Sequence, residues 1–165
     1  MESRETLHEK LNKANEVLLE QKEALHRTGG YLENVLENSR DMIFRADSEG
    51  VLVSFNPGGE SILGYTWDDL SGREMKELAE DPHGFESLAL DCIEKKEVVH
   101  AEIPFLHKTG RTIYCRVVLA PLTNSREDII GMAGVCRDIT AWRKFKQDLI
   151  RVDRLAEVGR IASGI

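Results

Sequence analysis

Few side chains in this sequence are spaced for chemistry. Cys92, Cys115 and Cys136 make no C-x-x-C pair and no Cys/His metal spacing, and each lies in an apolar pattern. That fits reduced packing thiols in a cytoplasmic setting, not metal ligands or a disulfide frame. His100 falls on the mixed face of an alternating strand and His107 at a turn, so both read as exposed structural residues. The sequence holds no Gly-rich phosphate loop, no paired carboxylates beside a nucleophile and no metal cluster, so neither catalysis nor a metal site is expected of this chain. The polar residues that stand out by position are Asp138 and Thr140, where an apolar run stops and a charged helical pattern starts. Both are good helix N-cap types, whose oxygens accept from the free amides of a first turn.

The elements around that point explain its interest. Residues 129–137 are rich in β-branched and small side chains, as a strand packed on a core requires, and residues 141–165 read as a helix. A strand that continues into a helix without a loop is a mechanical junction; an ordinary strand-to-helix turn has the same local pattern, and both readings stay open here. With 165 residues, 41% of them apolar, the chain has material for one core plus extensions. No run reaches the roughly 18 apolar residues of a membrane span, and no signal-peptide core precedes the helix, so a soluble, cytoplasmic piece without direct membrane contact is expected. A membrane-anchored parent is compatible with this. The net charge of −7 is uneven: residues 1–27 carry five basic and six acidic groups, residues 141–165 six basic and three acidic, so the negative charge sits in the middle. An acidic middle argues against nucleic-acid binding.

In chain order, Leu7, Leu11, Ala14, Leu18 and Leu25 are spaced four and three apart, with Gln21 filling the remaining seam position. This heptad stripe predicts a parallel two-stranded coiled coil over residues 1–28, although a helix folded back on its own domain would produce a similar pattern. Thr28-Gly29-Gly30 is expected to interrupt that helix, with a short second one starting at Tyr31. From Asp41 the period becomes that of strands. Residues 42–46 and 51–55 flank Asp47-Ser48-Glu49-Gly50 as a hairpin. Asn56-Pro57, Thr66 with Asp69, and Asp81-Pro82 each signal a helix start, the last followed by the stripe Phe85, Leu88, Ala89, Cys92 and Ile93. Three more alternating strands follow. The expectation is an α+β domain on one antiparallel sheet.

These residues resemble a family. Residues 55–66 (FNPGGESILGYT), Leu70-Ser71-Gly72-Arg73, Lys108-Thr109-Gly110-Arg111 and residues 134–140 (GVCRDIT) are similar, in order and spacing, to a PAS sensor domain over about residues 31–140. The resemblance implies a five-stranded sheet in the order 2-1-5-4-3, short helices on one face and a ligand-sized space between them. Phe44, Leu88, Cys92, Phe105, Val117 and Met132 are the side chains expected to line that space. It also implies a structural ion pair between Glu60 and Lys108. Gly58-Gly59 replaces the Ala-Ala common in the family, and at about 1 kcal/mol per glycine predicts a loose first helix.

Beyond Thr140, Trp142, Phe145, Leu149 and Val152 form a second seam in the helix over residues 141–165. The in-phase continuation, Ala156, Gly159 and Ser163, is a poor core, whereas Leu155, Val158, Ala162 and Ile165 form a better row one residue earlier. Such a slip changes the local winding of a coiled coil. Residues 154–165 resemble the start of the phosphoacceptor helix of a sensor histidine kinase, ending before its histidine. Together the resemblances imply the input and dimerisation module of a two-component kinase whose partner is a response regulator. A spacer that pairs two coiled coils and senses nothing is the alternative. A cysteinyl-flavin adduct needs an Asn-Cys-Arg motif where this chain has Gly72-Arg73-Glu74-Met75, and haem held by His83 is disfavoured because His83 lies off the apolar stripe. The cofactor is otherwise unassigned: a small apolar ligand, a weakly bound flavin and no ligand are all compatible.

Overall fold

The computed structural model describes the backbone of residues 2–164 and the side chains of residues 6–164. Two units are compact in themselves, one ending at Asn38 and one beginning at Ser39. The first is a single helix, α1 (Glu2–Asn38). The expected break at Thr28-Gly29-Gly30 does not occur. Two glycines cost a helix about 1 kcal/mol each, which a long cooperative hydrogen-bonded run absorbs, and the Thr28 hydroxyl bonds back to the Ala24 carbonyl at 2.9 Å. Because the helix is unbroken, its four-three spacing continues in phase through Thr28, Leu32 and Val35, and the leucines of this stripe are exposed.

The second unit has the element order β1 (Met42–Asp47), β2 (Leu52–Phe55), α2 (Pro57–Leu63), α3 (Trp67–Leu70), a 3-10 turn (Met75–Leu78), α4 (Pro82–Lys95), β3 (Val99–Leu106), β4 (Thr112–Thr123), β5 (Ile129–Asp138) and α5 (Thr140–Ser163). The five strands form one antiparallel sheet ordered β2-β1-β5-β4-β3, as expected. Local signals place the helix starts. Asn56 Oδ1 accepts from the Gly59 amide, Thr66 and Asp69 form a reciprocal capping box, and Asp81 accepts from Gly84. Only the 3-10 turn was not anticipated.

Strand alternation puts one side-chain set on the helix-covered face: Met42, Phe44 and Ala46 of β1, Ile103 and Phe105 of β3, Ile113, Cys115, Val117 and Leu119 of β4, Met132 and Cys136 of β5. They join Leu63, Leu70, Met75, Leu78, Phe85 and Cys92 in one core cluster. The segment before α4 closes that core sideways, because it bonds to both sheet edges. The Leu52 amide of β2 donates to the Arg73 carbonyl at 2.9 Å, and the Glu80 amide donates to the Pro104 carbonyl of β3 at 2.9 Å. Edge strands left bare would be templates for aggregation, and this segment covers them.

Gly58 and Gly59 are not loose. A Cβ on Gly58 would collide with the backbone carbonyl oxygens of Ser39 and Asp41, and one on Gly59 would lie 2.5 Å from the Phe55 ring. The pair lets α2 pack against the start of β1, so the expected looseness is replaced by close approach.

Candidate functional site

The junction between β5 and α5 is built from five consecutive contacts. Asp138 lies opposite Cys115 at the last position of the β4/β5 ladder. The next amide, Ile139, donates to the Tyr114 carbonyl at 2.8 Å, and the Tyr114 amide in turn donates to Thr140 Oγ1 at 3.0 Å. The Thr140 amide donates to Asp138 Oδ1 at 2.9 Å, and the Ile139 carbonyl accepts from Arg143, opening the helix. The two polar residues therefore divide the work. Asp138 satisfies a first-turn amide, while Thr140 turns its hydroxyl to the sheet and extends the β4 ladder by one bond. Neither occupies the N-cap position itself, which is Ile139, because its buried side chain anchors the turn in the core.

The first turns of α5 are further fastened to the outer side of the sheet. Arg143 lies over the Tyr114 ring, 4.1 Å from its centroid, and donates to Glu102 Oε2 at 3.3 Å. Glu102 also accepts from Arg116 at 3.3 Å, and Arg116 and Lys146 both stand over the Trp142 ring. Exposed cation–π contacts contribute about 0.5–1 kcal/mol each, so the cluster orients the helix more than it stabilises the fold. Tyr114, Ile139, Arg143 and Glu102 were not singled out from the sequence. The available signal was Ile139, an apolar residue between two polar ones.

The side chains expected to line a ligand space are inside but packed. Phe44, Cys92, Phe105, Val117 and Met132 are at most 2% exposed and Leu88 rests against the same cluster. Phe85 meets Phe105 edge-on with centroids 6.1 Å apart. A cleft of about 60 Å³ reaches this interior beside Phe85, Ala89 and Ile93, with Met132 the one expected side chain on its wall and Lys76 at its rim between Glu74 and Glu86. Pockets for organic ligands begin near about 300 Å³, so this cleft admits only a few waters.

Burial pushes all three thiols up: Cys92 above its ordinary value, Cys115 to about 12 with help from the Asp138 charge, and Cys136 well above its ordinary value. All three are reduced and buried. His83 is almost fully exposed and His100 is exposed, whereas His107 is half-buried, its ring against Gly64 at the C-cap of α2 and its Nδ1 2.8 Å from the Thr109 hydroxyl. Among the described residues no three His, Cys, Asp or Glu side chains are grouped to hold a metal, and no helix is long and apolar enough to cross a membrane.

The Glu60/Lys108 pair is not formed. Lys108 Nζ contacts Asp69 Oδ2 at 2.8 Å, and Glu60 Oε1 instead accepts from the Trp67 amide at 2.7 Å. Glu60 Oε1 is turned to the amide at the start of α3, whereas Asp69 Oδ2 takes both the Thr66 amide and Lys108. The seam residues Leu7, Leu11, Leu18, Leu25, Trp142, Phe145, Leu149 and Val152 are all exposed on their helices. In the slipped row, Leu155 and Val158 are likewise exposed, and Ile165 lies outside the described residues.

Comparison with known proteins places these features in context. A family model described as PAS domain matches residues 40–141. The signal transduction histidine-protein kinase AtoS of Escherichia coli (strain K12) is 29% identical over 144 residues, which cover 87% of this chain and 23% of AtoS. The chain thus spans about a quarter of that relative. Among solved structures, the PAS domain of a protein from Colwellia psychrerythraea aligns with TM-score 0.64 at 24% identity, over 68% of this chain and 97% of that one. The PAS domain of an HTR-like protein from Haloarcula marismortui aligns with TM-score 0.62 at 26% identity, over 73% and 98%.

Proposed function

The chain belongs to the PAS domain family, and from that premise we propose that it is the signal-transducing and dimerisation module of a two-component sensor histidine kinase, acting as a parallel homodimer. The observation that carries this is the junction. β5 passes into α5 across the single residue Ile139, so a shift of the central sheet moves the root of a helix whose apolar row, Trp142, Phe145, Leu149 and Val152, is exposed in the lone chain. Apolar rows of this length on α1 and α5 need a partner, and a second copy supplies the same row in register.

The likeness to AtoS supports a kinase parent, with a response regulator as downstream partner. In that reading α5 and the slipped seam beyond Val152 feed the phosphoacceptor region, and Asp138 and Thr140 hold the helix to the strand. Loss of such a side-chain hydrogen bond costs about 0.5–1.5 kcal/mol, which overlaps the roughly 1–3 kcal/mol of ordinary allosteric coupling, so this contact is large enough to carry a signal. The filled interior favours a second reading beside it: the domain passes on or holds register without binding a small molecule.

Light scattering on the purified chain is expected to give a dimer at micromolar concentration; a monomer there sinks the proposal. In the parent kinase, Asp138→Ala is expected to leave the domain folded and dimeric while autophosphorylation no longer follows the signal. An unchanged signal response would return Asp138 to the status of an ordinary turn residue.

A further inference from the structure

The chain enters and leaves its α/β domain at two points that are fastened to each other. Residues 39–41, which follow α1, are gripped from the helical side. Asn56 Nδ2 donates to the Asp41 carbonyl at 2.9 Å, while Asn56 Oδ1 accepts from the amides of Ile43 at 2.7 Å and Gly59 at 3.0 Å. Asn56 is buried, so this junction of β1, α2 and the entry segment is fixed by the fold. Gly58 presses on the same segment, with no room for a Cβ beneath the Ser39 and Asp41 carbonyls.

The other grip comes from the exit strand. Arg137, next to last in β5, makes a two-point contact with Asp41, Nε to Oδ1 at 3.1 Å and Nη2 to Oδ2 at 2.9 Å, across 96 residues of sequence. The fork-on-fork geometry fixes direction as well as distance. Asp41 presents a side chain only 24% exposed, whereas Arg137 is 72% exposed, so the acid is held by the fold and the arginine reaches to it. Arg137 is followed at once by Asp138, Ile139 and Thr140, which root α5. From the end of α1 to the start of α5 this ion pair stands beside the β1/β5 ladder, where Met42 pairs with Cys136, and both bypass the packed interior.

We propose that the Asp41/Arg137 pair makes the domain a relay in series, in which a change in the pairing of α1 is passed directly to α5 without a ligand in the interior. This rests on the dimer reading above and specifies where its input arrives. Coupling between sites needs an element that both ends can bias, and the entry segment and the exit strand share this contact.

The test uses the full chain and four sequences: wild type, Gln21→Leu, Arg137→Gln, and the two substitutions together. Replacing the polar seam residue Gln21 by leucine is expected to tighten the dimer, read by sedimentation equilibrium. Amide exchange over residues 141–145 is then expected to slow at least threefold in Gln21→Leu, and to change less than 1.5-fold when Arg137→Gln is also present. Asp41→Asn in place of Arg137→Gln is expected to give the same result from the other side of the pair. Equal slowing with and without the pair would overturn the relay through it, since α5 would then respond by the β1/β5 ladder or by pairing of the helices alone. No slowing in either background, with the dimer tightened, would overturn it as well. If Gln21→Leu leaves the dissociation constant unchanged, the dimer reading of α1 fails first and the relay falls with it.

Discussion

The interior of the α/β unit and the surfaces of α1 and α5 are opposites. Inside, side chains such as Phe44, Phe105 and Val117 have no exposed area and sit among partners from all five strands and α4. On the helices, residues of the same chemical kind, such as Leu18, Leu25, Leu149 and Val152, keep half or more of their area in water. Burying such a side chain stabilises by about 1.5–3 kcal/mol, so one region has already collected that energy and the other has yet to. The core of the unit is complete within the lone chain, and under the proposed dimer the helices are completed by association.

The strongest way to break this contrast is to remove a side chain from each region. Phe105→Ala is expected to lower the unfolding free energy by about 3–5 kcal/mol, read by urea denaturation, whatever the protein concentration. Leu149→Ala is expected to leave the unfolding of the diluted monomer within about 0.5 kcal/mol of wild type, because its site is exposed, while weakening the dimer by light scattering. If Leu149→Ala destabilises the monomer as much as the core change does, the two regions do not differ as described.

Gly58 sharpens the contrast by sign. Helix propensity alone predicts that Gly58→Ala stabilises by about 1 kcal/mol. The carbonyls of Ser39 and Asp41 above it predict a loss of about 1–3 kcal/mol instead, through overpacking. Thermal unfolding of the variant decides, and a rise in Tm would refute the close approach.

Smaller effects are expected where the two regions meet. Thr140→Val keeps the shape and removes the oxygen that accepts from Tyr114, at a cost of about 0.5–1.5 kcal/mol, with faster amide exchange at Tyr114 and in the first turn of α5. Exchange unchanged at Tyr114 would show that the bond is not kept in solution.

The smallest effect concerns Asp69, whose carboxyl Lys108 and the Thr66 amide hold down at about 2. A depressed folded value means that this contribution to stability is present above the ordinary carboxylate range and is lost as pH falls towards 2. The group is exposed, so the effect is a slight one on the acid limb. Carbon-13 titration should show the Asp69 value rising in Lys108→Ala and unmoved in Glu60→Ala; the reverse pattern would restore the Glu60 pair.

What was legible in the sequence was local or periodic. Asn56, Thr66 with Asp69, and Asp81 announced helix starts because a cap needs only residues three apart. Alternation also marked the inward sets of β3 and β4, of which Ile103, Phe105, Ile113, Cys115, Val117 and Leu119 are buried. It did not tell whether they enclose a space, since that depends on the summed volumes of Phe44, Phe85, Phe105 and their neighbours, which no single strand reveals. The partner of Lys108 was misassigned for a similar reason: Asp69 and Glu60 are both acidic and close in sequence, and only the path of the chain between α2 and α3 decides which carboxylate lies beside the lysine. The glycines misled twice, in opposite ways. Gly29 and Gly30 sit in a continuous helix, and Gly58 and Gly59 mark contact where flexibility was expected.

The three buried thiols have a practical consequence. A thiol whose proton is held this firmly, behind a closed sheet and helix layer, offers almost no thiolate to an alkylating reagent. With all three thiols buried, the folded chain is expected to react as though it were cysteine-free, so that a single cysteine placed on α1 or α5 carries a probe without removal of the native ones. Modification of Cys115 or Cys136 then becomes a clock for opening of the whole core, running in the same tube as the probe that follows the helices.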